Sequence, residues 1–166
     1  DHVVANLTQA PAVGALRGEP DHTNPVFAGS FEEVNEHFYG QSWSDGLPIV
    51  PPTRRRIEAF LKHTQRDPNE VIAVLLPENR AATIWNIAVN GVMAGCKPEY
   101  MPLLITMVEA MSDPAYGVEH SGNTPGAETL VIVNGPIAKE LGLNFTQGVM
   151  RDGFLPNTSK IGRAHV

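Results

Sequence analysis

Cysteine occurs once in this chain of 166 residues, at Cys96, so no internal disulfide can brace the fold. A lone thiol fits a reducing, cytoplasmic setting. Basic residues are not massed anywhere except at Arg54, Arg55 and Arg56, and the formal net charge is −6. That excludes the basic face a nucleic-acid binder needs. No apolar run approaches the roughly 20 residues that cross a bilayer, so no membrane partner is expected. No two of the six histidines stand at the i, i+4 spacing of a helical metal site. A catalytic-serine signature, a P-loop and a dinucleotide fingerprint are missing too, which leaves hydrolase, nucleotide and nicotinamide readings without support. What the chain has is a 42% hydrophobic and 18% charged composition, enough for about one domain with a core. It also has 14 prolines and 15 glycines, which is loop-rich for this length.

The stretch from Ala81 to Met111 organises the rest. Ile84, Ile87, Ala88, Gly91 and Val92 recur at helical spacing and predict a helix over residues 83–94. Trp85, Val89 and Met93 widen its apolar face, so most sides of this helix should be buried. Thr83, Asn86 and Asn90 form its one polar stripe. Gly95 suits the left-handed residue that ends a helix, and Pro98 suits the start of the next. Met101, Leu104, Val108 and Met111 should form the apolar face of that second helix. Cys96 falls between the two, just before a helix N-terminus and beside Lys97. Both features lower a thiol pKa and favour a nucleophile, a redox thiol or a metal ligand. The competing reading is a small buried hydrophobe.

Residues 1–29 lack periodicity and read as an extended arm; residues 30–166 read as the domain. Ser30 and Glu33 form a capping box for a helix to about Tyr39, burying Phe31, Val34 and Phe38. Asp45-Gly46 predicts a turn, Leu47 to Val50 a short extended segment, and Thr53 a cap for a helix over residues 54–63 that buries Ile57, Phe60 and Leu61. The three arginines fall in its first turn, where the helix dipole disfavours cations. They mark either an anionic partner or a solvated run. Val71 to Leu76 and Leu130 to Val133 are continuous apolar runs, read as strands buried on both faces. Residues 77–80 form the loop after the first strand, and Asn134 follows the second. Both positions are where α/β sheets place ligands. Residues 112–128 make a long loop carrying His120. A short helix begins at Ile137, and a last one runs from Lys160 to Val166 behind an Asn157-Thr158-Ser159 cap. That final helix has no stop signal, which points to further polypeptide or a second chain completing the fold.

Four segments resemble a known family. They are Asp45-Gly46-Leu47-Pro48-Ile49-Val50-Pro51-Pro52-Thr53, the run from Asn90 to Tyr100, Val133-Asn134-Gly135-Pro136-Ile137-Ala138, and Ile161-Gly162-Arg163-Ala164. Together they are similar to the signature segments of a bacterial family labelled UGSC or thiol–disulfide oxidoreductase-like. The resemblance spans about residues 31–166, and the chain carries no UGSC segment of its own. It implies thiol or redox chemistry at Cys96. It also implies that this chain corresponds to the N-terminal half of the family's chains, the second half being supplied by a separate subunit.

The expectation is therefore an α/β fold, a small sheet with buried strands flanked by helices, incomplete without a second polypeptide. Its function would be that of a subunit of a small-molecule enzyme, an oxidoreductase or lyase. Cys96 would be catalytic, and Asn86, Asn90, Asn134, Asp45 and Arg80 would bind substrate. No cofactor is identified. Two alternatives stand beside it: a metal-binding enzyme subunit drawing on His37, His120 or Cys96 with ligands from another chain, and a non-catalytic assembly subunit.

Overall fold

Helix ends in this chain are written in local chemistry, and the computed structural model, which describes residues 23–75, 79–117, 129–146 and 157–164, realises them. The architecture is mixed α/β, with helices around a small two-stranded antiparallel sheet. Helix α1 spans Phe31–Gly40. Its capping box is complete: Glu33 N–H donates to Ser30 Oγ at 3.3 Å, and Ser30 N–H donates to Glu33 Oε2 at 2.7 Å. Phe38 is buried, but Phe31, expected inside, is 52% exposed. Helix α2, Arg54–Leu61, buries Ile57 and Phe60. Thr53 precedes it with extended backbone but makes no side-chain cap bond, contrary to expectation.

Strand β1, Val71–Leu75, pairs antiparallel with β2, Arg80–Thr83, from Leu75↔Arg80 to Val71↔Thr83, with an irregularity between Val71 and Ala73. This corrects the picture of strands buried on both faces. Val71 and Val74 are each about half exposed, because β1 has only β2 beside it among the described residues. The second expected strand forms no ladder. Residues 129–134 carry no regular structure; Leu130 and Ile132 are 69% and 83% exposed, while Val131 and Val133 pack on the core.

β2 feeds directly into helix α3, Ile84–Met93. Thr83 caps it by accepting from Asn86 N–H at 3.0 Å. Two other first-turn N–H groups, of Ile84 and Trp85, donate to the carbonyls of Glu70 and Pro68. The far end closes with paired backbone bonds: Cys96 N–H donates to Gly91 O and Gly95 N–H to Val92 O, both at 2.9 Å, with Gly95 at φ +74°. A 3₁₀ turn, Pro98–Tyr100, leads into helix α4, Met101–Met111. Its buried residues are Met101, Leu104, Ile105 and Met107; Val108 and Met111 are only half-buried, so the face is rotated from the expected one. Helices α2, α3 and α4 approach closely at Gly91, where an added Cβ would stand 2.8 Å from a Phe60 ring carbon and 2.9 Å from Leu104 Cδ1. Arg66 bridges the segment before β1 to α4 through Glu70 and Glu109.

Short helix α5 is Ile137–Glu140, and helix α6 is Asn157–Arg163. Ile161 of α6 enters the core. No helix among the described residues is long and apolar enough to cross a membrane. The expected arm falls largely in residues 1–22, and His120 in 118–128; both lie outside the described residues.

Candidate functional site

The loop after α1 is held in place from several sides. Asn35 of α1 accepts from Ile49 N–H at 2.7 Å and donates to Ile49 O at 3.3 Å, while Val50 N–H donates to Met93 O at 3.1 Å. Asp45 makes the expected turn: its Oδ1 accepts from Leu47 N–H at 3.0 Å, and Gly46 has φ +84°. Arg163, at the end of α6, then reaches this loop. Its Nε and Nη2 donate to the two oxygens of Asp45 at 2.8 and 2.7 Å. Its Nη1 donates to Pro48 O at 2.9 Å, and Nη2 also to Leu47 O at 3.1 Å. This guanidinium holds the Asp45 carboxyl below its ordinary range, so the carboxyl is ionised at neutral pH.

The loop, the start of β2, the end of α3 and Arg163 line an open cavity of about 550 Å³. Asp45, Arg80 and Asn90, three of the residues expected to bind substrate, all line it. Asn90 Nδ2 donates to Asn86 O at 3.0 Å, so the expected polar stripe on α3 exists and Asn90 is its exposed end. Trp43, Met93 and Ile49 add apolar wall, and Ser42 and Ser44 add hydroxyl-bearing residues. The Trp43 ring is positioned by edge-to-face contacts with His37 and Phe38, at centroid separations of 5.7 and 5.6 Å. His37 is itself stacked on Phe27, 4.3 Å between centroids, and so belongs to an aromatic cluster.

Cys96, Asn86 and Asn134 are not on this wall. Asn86 is half-buried in the first turn of α3, and Asn134 is exposed beyond the extended segment. Cys96 is 9% exposed and part of the hydrophobic core. Its Sγ donates to Lys160 O at 3.2 Å. Burial pushes its pKa up to about 12, against the weaker pull of the Lys160 charge. The expected lowering of that pKa is thus reversed: α6 covers the turn, and desolvation outweighs the helix terminus and Lys97.

Arg163 and Trp43 are among the lining residues that the sequence does not single out for a site. Each stands inside a stretch that looked unusual, Trp43 beside Asp45 and Arg163 within Ile-Gly-Arg-Ala, but nothing local reveals that they meet. The three arginines of α2 are all exposed; Arg56 donates to Pro51 O at 2.9 Å and Arg54 to Thr23 O at 3.5 Å. Among the described residues, no three His, Cys, Asp or Glu side chains gather to hold a metal. Comparison with family models, curated proteins and solved structures finds no match to this chain.

Proposed function

We propose that the chain is a subunit of a small-molecule enzyme and that the cavity beside the Cys96 turn is its substrate site. The observation carrying this reading is convergence: Asp45, Arg80 and Asn90 come from three separate elements and face one space. A volume near 550 Å³ suits a small organic molecule. Cys96 supports the site from behind. Its turn ends α3 and so positions Met93 and Ala94 on the wall, whereas a neutral thiol inside the core favours neither a nucleophile nor a redox couple. Polar, lyase-type chemistry is the better reading than thiol redox chemistry.

The carboxylate on the wall, Asp45, is fully engaged by Arg163 and is a poor proton acceptor. No other described residue on the wall is a carboxylate or a histidine, and a general base supplied by a second polypeptide would place the site between subunits. The outward Leu130 and Ile132 favour such a partner. The single thiol accords with a cytoplasmic enzyme.

The test is a thermal-shift screen of small polar metabolites on the purified protein with whatever chain co-purifies, repeated on Asn90→Ala and Arg80→Ala. A stabilising compound whose effect drops in both variants supports the site. A compound whose effect is untouched in both, or no stabilising compound at all, counts against it.

A further inference from the structure

Building on the substrate-site reading, we infer that the ligand of this cavity is a small organic monocarboxylate with an apolar body and a hydroxyl or similar hydrogen-bond donor, and that Arg80 is its charge partner. Among the described residues, the charged ones on the wall are Asp45, Arg80 and Arg163. Arg163 and Asp45 neutralise each other through two charge-assisted bonds, and the remaining Arg163 contacts go to the Leu47 and Pro48 carbonyls. Neither offers charge to a ligand. Arg80 is exposed at the start of β2, and no described residue pairs with its guanidinium. Among the described residues the wall therefore carries one uncompensated positive charge, on a chain whose formal net charge is −6. A monoanion balances that charge, whereas a dianion would leave excess negative charge in an already negative molecule. A carboxylate also matches the planar fork of a guanidinium.

The rest of the ligand follows from the other walls. Trp43 is half exposed and fixed by its aromatic neighbours, so it offers a pre-set apolar surface to the cavity that Met93 also lines. Asn90 spends one of its two Nδ2 hydrogens on the Asn86 carbonyl, which leaves Oδ1 and a second N–H for the ligand. A group that both accepts and donates there calls for one of the same kind on the ligand, such as a hydroxyl next to the carboxylate.

The experiment uses three probes on the intact protein: 3-phenyllactate, its neutral amide 3-phenyllactamide, and 3-phenylpropionate, which lacks the hydroxyl. Affinities are measured by isothermal titration calorimetry for wild type, Arg80→Gln and Asn90→Ala. Phenyllactate should bind about tenfold more tightly than its amide, and Arg80→Gln should remove that preference. Phenylpropionate should bind several-fold more weakly than phenyllactate in wild type and equally in Asn90→Ala. Equal binding of acid and amide to wild type, or a preference that survives Arg80→Gln, overturns the charge assignment. If both probes weaken together in Asn90→Ala while showing no charge preference, the cavity stands and the monoanion class falls. No binding of any probe at millimolar concentration overturns the ligand class. The metabolite screen judges the substrate-site reading separately.

Discussion

Cys96 gives the sharpest prediction, because two physical effects compete there and their sizes can be compared. A helix terminus contributes about 0.3–1 kcal/mol to a nearby charge. Burial lifts the Cys96 pKa from an ordinary 9.0 to about 12, a change worth roughly 4 kcal/mol. At pH 8 the native protein would then hold about one thiolate in ten thousand, roughly a thousandfold less than the unfolded chain. Alkylation by iodoacetamide should slow by at least that factor in the native state, and urea should restore it. The same shift makes stability depend on pH. Between 9.0 and about 12 the unfolded chain has released the thiol proton and the native protein has kept it. Stability from this group is therefore complete below pH 9 and falls as pH rises, by about 1.4 kcal/mol per pH unit. Cys96→Ala removes the titration at the cost of a small cavity, about 1 kcal/mol. The variant should be less stable than wild type at pH 7 and more stable by pH 11, with the urea midpoints crossing near pH 10. Tyr100, pushed up to about 12 chiefly by burial, loses stability in both proteins, and only the smaller contribution of Cys96 to its shift differs between them. Native alkylation within tenfold of the unfolded rate would refute the reasoning and return Cys96 to the nucleophile role.

Two further predictions test the frame around the cavity. Arg163→Ala should cost about 1–2 kcal/mol, since the pair is partly solvated and screening reduces its worth. The acid limb of a stability–pH profile should flatten in that variant. Asp45 is held below its ordinary 3.8, so its contribution is complete above that value and is lost as pH falls through the lower native one. Gly91→Ala sets a helix-propensity gain of about 1 kcal/mol against contacts under 3 Å with the buried Phe60 and Leu104 side chains. Overpacking of about 1–3 kcal/mol should win, lowering the urea midpoint; a stabilised variant would show that α2 and α4 can separate without cost.

How far residues reveal structure here depends on how far apart the interacting groups are in the chain. Ser30 with Glu33, Thr83 with the first turn of α3, and Gly95 and Cys96 with the carbonyls of Val92 and Gly91 act within a few residues, and each end is legible. The sheet is not. The run Val71–Leu75 would serve a strand in any layer, and its real partner, Arg80-Ala81-Ala82-Thr83, contains two alanines that read as the start of a helix. The similar run at Leu130–Val133 forms no ladder at all, so apolar continuity alone does not determine pairing.

The same rule divides the candidate site. Asp45, Arg80 and Asn90 are legible because polar residues at a turn, in the loop after an apolar run and on a helix stripe stand out from their neighbours. What welds them into one cavity is Arg163, 118 residues from Asp45 in the chain. Its helix performs a second task, since Lys160 and Ile161 cover the cysteine turn. One helix thus closes a polar cavity on one side and dries a thiol on the other. The two outcomes are coupled: loosening α6 would open the Asp45 loop and expose Cys96 together. Arg163→Ala should accordingly raise the native alkylation rate of Cys96, although Cys96 bonds Lys160 and Arg163 bonds Asp45. A rate unchanged from wild type would mean that Ile161 alone holds α6 in place.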